Sequence, residues 1–289
     1  MTRPILMAQH PFDEAVALTP VAASAQERGR DAPGHFAGAP HPAYGNMVGP
    51  FGGITAAQAL AAVLRHPGLL GEPVALTVNF AAALADAPFR IEARPVRTNR
   101  STQHWTVALT QTDDQGVDAL MLSATCVTAA RRRTWSAVDV PMPQVPAPQD
   151  TARAPIPKRV RWIERYDMRP LAGPMPLQWD GAEADSLTRL WVRDDPPRPL
   201  DHLSLTALAD VFYPRVWRRR AHMTPAGTVS MTVYFHVGAD ELATCGESHL
   251  LGQARAQSFF NGFFDQSAEL WSQAGHLLAT THQIVYFKE

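Results

Sequence analysis

Asp210 stands in the run Leu205-Thr206-Ala207-Leu208-Ala209-Asp210-Val211-Phe212. A carboxylate among so many apolar neighbours is costly to bury without partners. An isolated helical Asp is most simply a solvent-facing charge. On a helix enclosed by a sheet there is little solvent face, and an Asp held by hydroxyl or amide donors stays ionised and orients water. Gln283 breaks the strand-like ending from Leu277 to Tyr286. Its amide both donates and accepts, so it is either a site residue or an outward polar strand position. Thr228 alone is uninformative, because Thr is common in strands for its β-branched shape. Gly52 and Gly53 open an apolar helix. Their N–H groups suit a developing oxyanion, or the pair serves tight packing. Gln58 either reaches a shared cavity or satisfies polar groups between helices. Gly262, after Asn261, marks a bulge near a substrate tunnel or a bend.

Other chemistries find little support. His35, His41, His104, His236 and His282 show no metal-like spacing with Cys or carboxylates, so no metal site is expected. There is no Gly-x-Ser-x-Gly elbow and no phosphate-binding Gly-rich loop, and no cofactor is expected. Arg215 and the Arg218-Arg219-Arg220 run read as a solvated face, with attraction for phosphates as a weaker alternative.

The elements that must position these residues come in two copies. Leu76-Thr77-Val78-Asn79-Phe80 returns as Met231-Thr232-Val233-Tyr234-Phe235. The first helix, Ile54 to Leu64, is apolar almost all round and therefore belongs inside. Strand signals follow at Val74 to Phe80, Phe89 to Arg97, Trp105 to Thr112 and Ala119 to Ala129, with Asp113-Asp114-Gln115-Gly116 as a hairpin turn. Pro141 to Pro157 is a Pro-rich linker. Strand-like runs at Arg159 to Ile163 and Leu190 to Arg193 open the second copy. Its helix spans Leu203 to Phe212, stopped by Pro214. Strands follow at Thr228 to His236, Gly252 to Phe260, Ala268 to Ser272 and Leu277 to Phe287. The expected architecture is α+β: a double hotdog, two fused copies of an antiparallel sheet wrapped around a central helix. Residues 1–140 form the first domain, 141–157 the linker and 158–289 the second domain.

The 289 residues carry a net charge of −1, which gives no reason to expect nucleic acid or an anionic membrane as partner. No stretch approaches the roughly 20 apolar residues that span a bilayer. With no secretory signal and two apolar-flanked cysteines, Cys126 and Cys245, a cytoplasmic protein with reduced thiols is expected.

The succession Phe51-Gly52-Gly53, Gln58-Ala59-Leu60, the Thr-Val-Asn-Phe strand, Arg97 to Ser101, Leu190 to Arg193, Ala209-Asp210, Thr228 ahead of Val233 to His236, and Ala279 to Gln283 resembles the acyl-CoA thioesterase II family. The resemblance runs from about residue 34 onward. It implies a double hotdog that hydrolyses acyl-CoA thioesters through an Asp, a Thr and a Gln, roles that fall on Asp210, Thr228 and Gln283. Gly52, Gly53, Gln58 and Gly262 are then candidates for substrate binding. Two departures stand out: Asn99-Arg100 where many relatives have a Gly, and the arginines between Asp210 and Thr228.

Aligning the copies sets Thr228 against Pro73, Gln283 against Ala124, and Asp210 near Thr55 or Gln58, so one site per chain is expected. The alternative is a hotdog that binds an acyl thioester without cleaving it. A dehydratase-like hotdog would want a His paired with a carboxylate in the cavity, and the sequence offers no matched pair. A homo-oligomer, dimer or tetramer, is expected, since hotdog sheets leave faces for pairing.

Overall fold

The computed structural model describes residues 10–22, 31–155, 160–176, 178–179, 182–220 and 222–288. After a short helix α1 (Pro11–Ala15) and strand β1 (Thr19–Val21), the first copy runs β2 (Gly34–Gly38), α2 (Gly52–Leu64), β3 (Glu72–Phe80), β4 (Phe89–Thr98), β5 (Thr102–Thr112) and β6 (Asp118–Ala129). The second runs β7 (Tyr166–Ala172), β8 (Thr188–Asp194), α3 (His202–Leu208), α4 (Val216–Arg220), β9 (Ala226–Phe235), α5 (Ala239–Cys245), β10 (Leu250–Arg255), β11 (Phe259–Phe260), β12 (Phe263–Trp271) and β13 (Leu277–Phe287).

The strands form one antiparallel sheet in the order β1-β2-β4-β5-β6-β3-β9-β13-β12-β10-β8-β7, with β11 on β12. The order β2-β4-β5-β6-β3 is matched by β8-β10-β12-β13-β9, so each half is the same unit. The halves meet where β3 pairs β9, and the meeting point is the repeated motif. Thr77 lies opposite Thr232, with Leu76 on Val233 and Val78 on Met231. The two Thr hydroxyls are 3.0 Å apart, on a local two-fold that exchanges the copies.

Helix α2 has no polar face to offer water, and residues Gly53 to Val63 are buried. It packs with α3 inside the curve of the sheet. One continuous core, including Leu60, Leu76 and Val78 from the first copy and Leu205, Val233 and Leu270 from the second, spans both halves.

The Pro-rich segment is packed, not free. Pro148 is buried, Trp191 Nε1 donates to Pro146 O at 2.8 Å, and Arg169 Nη1 donates to Pro148 O at 2.8 Å. The strand expected over Arg159 to Ile163 is instead a short 3₁₀ segment, Arg161–Arg165, ahead of β7; Arg159 lies outside the described residues. The second helix is shorter than expected: it stops at Leu208, and α4 starts after Pro214.

Three differences of register matter. First, β5 and β6 pair out to Thr112 opposite Asp118, whereas β12 and β13 pair only to Trp271 opposite Leu277. The longer first hairpin shifts the equivalence, so Gln283, opposite Met231, corresponds to Cys126, opposite Leu76, and not to Ala124. Second, counted from the helix starts Gly52 and His202, Asp210 corresponds to Leu60, not to Thr55 or Gln58. Third, β9 carries a bulge at Val229: Thr228 pairs with Val285 and Ser230 with Ile284. The equivalent bulge in β3 falls at Val74 and keeps Pro73 as the counterpart of Thr228.

Candidate active site

The first turn of α2 faces the end of α3. Asp210 lies just past that end, after Ala209 caps the helix with its N–H on Leu205 O and Ala207 O. The Gly53 backbone N–H turns its positive end toward the Asp210 carboxylate and favours its charged form. Gly52 is required for this approach, because a Cβ there would stand 2.9 Å from Asp210 Oδ2. A Cβ on Gly53 would meet Ala207 O at 2.7 Å and the Phe51 ring at 2.6 Å, so its absence lets the two helices touch.

Gln283 reaches the same carboxylate from β13. Its Nε2 donates to Asp210 Oδ1 at 2.8 Å and to Met231 Sδ at 3.4 Å. Its Oε1 accepts from the Thr228 hydroxyl at 3.3 Å. The amide therefore bridges Asp210 to Thr228 with both of its ends committed. Thr228 owes its position to the bulge. On regular β9 it would share the outward side with Ser230 and Thr232; the extra residue, Val229, turns it to the side of Val285 and Gln283. Burial pushes the Asp210 carboxyl up to about 7, while the Gln283 and Gly53 donors pull the other way. Desolvation wins over both donors, which leaves a carboxylate able to take a proton near neutral pH.

Asp210, Thr228, Gln283 and Gly52 line an open cavity of about 2020 Å³ to which both copies contribute. Its walls are largely apolar. Phe51 stacks on Trp162 at 4.2 Å between ring centroids and 8° between planes, and Tyr166 sets its edge against both. No histidine lines the cavity among the described residues. The cavity walls therefore supply neither the His expected of a dehydratase-like site nor a His to activate a nucleophile.

Gln58 is elsewhere. Its amide donates to Ala15 O at 2.7 Å and to Ala39 O at 3.4 Å, tying α1 and the segment after β2 to the middle of α2. It does not line the cavity; the reading it supports is the polar-satisfaction one. Gly262 is also away from the cavity. With Asn261 at φ 52° and Gly262 at φ 77°, it makes the tight turn that joins β11 to β12, and its carbonyl accepts from Phe287 N at 2.8 Å.

Residues 41–136 match the family model of the acyl-CoA thioesterase N-terminal domain, and residues 139–287 match that of the C-terminal domain. The chain belongs to the acyl-CoA thioesterase family. Among solved structures, a conserved protein of unknown function with a hot dog fold from Alicyclobacillus acidocaldarius is 46% identical; the match covers 97% of this chain and 99% of that one, with a TM-score of 0.86. The acyl-CoA thioesterase II TesB2 from Mycobacterium marinum is 18% identical over 96% of this chain and 98% of that one, TM-score 0.69. The dehydratase domain from the CurK module of curacin polyketide synthase is 10% identical over 97% and 99%, TM-score 0.59, and shares the fold. No curated protein matches the chain.

Within this thioesterase-family chain the arginine run splits. Arg215 is fully buried, donates to Ser186 O at 3.1 Å and Thr188 Oγ1 at 2.6 Å, and lies over the Tyr213 ring at 4.5 Å. Burial pulls its guanidinium down to about 10. It braces the cavity wall. Arg218 lines the cavity, 3.7 Å from Glu183 and 3.9 Å from Asp185. Arg219 covers Phe259 at 6.0 Å. One further polar residue escaped sequence reasoning: Gln266, directly opposite Gln283, buried and facing the cavity. A strand begun at Ala268 omits it. The alternation Phe264, Gln266, Ala268 and the Asn261-Gly262 turn were the signals that place it on the inward side. No helix among the described residues is long and apolar enough to cross a membrane.

Proposed function

We propose that this protein hydrolyses acyl-CoA thioesters, with water activated at the Asp210–Gln283–Thr228 cluster. The observation that carries the reading is the Gln283 bridge. By donating to Asp210 and accepting from Thr228, it fixes the carboxylate while leaving the Thr228 hydroxyl oxygen free to accept. A water seated between the two gives one hydrogen to Asp210 and the other to Thr228 Oγ1. Its remaining lone pair then points toward an acyl carbon lodged in the cavity. As the water oxygen bonds to that carbon, Asp210 takes the proton and the C=O electron pair moves onto oxygen. The tetrahedral species collapses by breaking C–S, and the proton passes to the departing thiolate. A thiol with pKa near 8.5 leaves with little help, which suits a cavity wall without His.

Gly52 belongs to the substrate side of this reading, because it brings the helix N-terminus against the reacting end of the cavity. Gly53 serves instead to hold Asp210. The apolar walls take the acyl chain, and one site per chain follows because Leu60, Pro73 and Cys126 stand where the second copy has Asp210, Thr228 and Gln283.

The test is thiol release, followed with a thiol-reactive dye, across acyl-CoAs from acetyl to palmitoyl for the wild type and Gln283→Ala. The expected result is turnover that collapses in the variant. Absence of turnover on every chain length, with acyl-CoA still raising Tm, would replace hydrolysis by binding without cleavage.

A further inference from the structure

Gln266 is a polar side chain beside the cluster that holds neither Asp210 nor Thr228. It is 2% exposed, sits on β12 directly opposite Gln283 on β13, and lines the same cavity. Directly opposed residues of an antiparallel pair project to the same side, with Cβ atoms roughly 4.5–5.5 Å apart. The two amides thus stand side by side, but their situations differ. Gln283 is saturated by Asp210, Met231 and Thr228. The Gln266 side chain makes no hydrogen bond to any described residue, and its amide atoms are not sealed in the core but open to the cavity. An amide without a protein partner makes up for none of the water it gives up on folding, a cost that reaches roughly 1–3 kcal/mol at full desolvation. Nothing in the packing of β12 requires one between Phe264 and Ala268, where the neighbouring inward positions are apolar.

The missing function at this end of the cavity is a donor for the thioester carbonyl oxygen. Gln283 Nε2 is committed to Asp210 and Met231, and the Gly53 N–H is turned toward the Asp210 carboxylate. We propose that the Gln266 side-chain amide donates to the carbonyl oxygen of the bound acyl thioester. It would hold the negative charge that develops as water adds. Gln266 gains and loses no proton in this step. The electron pair displaced onto oxygen by C–O bond formation is held by its N–H, and returns to expel the thiolate. This role rests on the hydrolysis reading, and it makes Gln266 a catalytic residue distinct from the water-binding cluster.

The test uses two variants of the full chain. Gln266→Met keeps the volume and removes the amide; Gln266→Glu keeps the shape and replaces the donor by a carboxylate. For both, kcat, KM and Tm are measured with an acyl-CoA that the wild type turns over. The role predicts kcat lower by roughly 10²-fold in each, KM changed less than about threefold, and a Tm for the Met variant equal to or above that of the wild type, because an unpaired amide has been removed from the interior. This combination separates it from a structural residue, whose loss would lower Tm and kcat together. Retention of more than half of the wild-type kcat, or a rise in KM alone, overturns the role while leaving hydrolysis intact. If the Met variant fails to fold, the near-isosteric Glu variant decides by the same criteria. A wild type that turns over no acyl-CoA would sink the hydrolysis reading, and this role with it.

Discussion

Asp210 should betray its burial twice, once in catalysis and once in stability. With its carboxyl pushed up to about 7, the base form is lost as pH falls through that value. kcat/KM is therefore expected to drop about tenfold per pH unit below 7 and to level off above it, which a pH–rate profile reads directly. The stability effect has the opposite sense. A carboxyl raised above its unfolded value near 3.9 binds its proton more tightly in the folded state, so stability falls as pH rises from about 4 to about 7. Asp210→Asn should then melt higher than the wild type at pH 8 and level with it below pH 4, while losing roughly 10²- to 10⁴-fold in turnover. Gly52→Ala probes the same carboxylate from the other side. A Cβ 2.9 Å from Oδ2 must displace it, and roughly 10- to 10²-fold in kcat should go with little change in KM. How legible were these residues? Asp210 announced itself by its apolar neighbours and Gln283 by interrupting a strand. Thr228 could not, since the alternation of β9 points it outward and only the bulge at Val229 reverses that. Gln58 was read as either reaching the cavity or satisfying polar groups, and the Ala15 and Ala39 carbonyls that engage it lie far off in sequence.

Among the elements, strands were the most legible. Period-two patterns and Gly turns located β13 to the residue, β4 and β6 to within one, and β3 and β5 with starts two and three residues late. Helix α3 was not, because the apolar run continues through Val211 and Phe212 after the helix has ended. Those two residues are buried by the loop that carries Asp210, and hydrophobicity alone does not tell a helical turn from a packed loop. The start of β12 was missed: a strand expected from Ala268 begins at Phe263, directly after the Asn261-Gly262 turn, where two successive left-handed residues reverse the chain. Gly262→Ala is expected to cost about 1 kcal/mol of stability, measured by denaturant unfolding, with turnover per folded molecule unchanged, since Gly262 stands clear of the cavity. Gly53→Ala should cost more, about 1–3 kcal/mol, because its Cβ would press on the Ala207 carbonyl and separate α2 from α3.

Over the whole molecule, the repeat of a five-residue strand foretold a two-fold, and Thr77 facing Thr232 is where that two-fold passes. The double-hotdog class was therefore readable from a repeat and two apolar helices. What the repeat could not reveal is how unequal the copies have become. A longer β5–β6 hairpin shifts the counterpart of Gln283 to Cys126, whose thiol burial pushes up to about 12, a group suited to packing and not to chemistry. The packed helix α1 and strand β1 also went unread, because their pattern is short and weak. The asymmetry predicts that a non-hydrolysable acyl-CoA analogue binds with a stoichiometry of about one per chain in calorimetry, whatever the oligomeric state. Two per chain would mean that the first copy also holds a site.

The central claim is that one half-buried, desolvated carboxylate, bridged by Gln283 to Thr228, drives hydrolysis of an acyl-CoA thioester. It is tested most directly by following thiol release at pH 8 from wild type and Asp210→Asn on the acyl-CoA that the wild type cleaves fastest, with Tm recorded for both. The account predicts a folded variant, at least as stable as the wild type, that has lost nearly all turnover. A folded variant that releases thiol at close to the wild-type rate would contradict it.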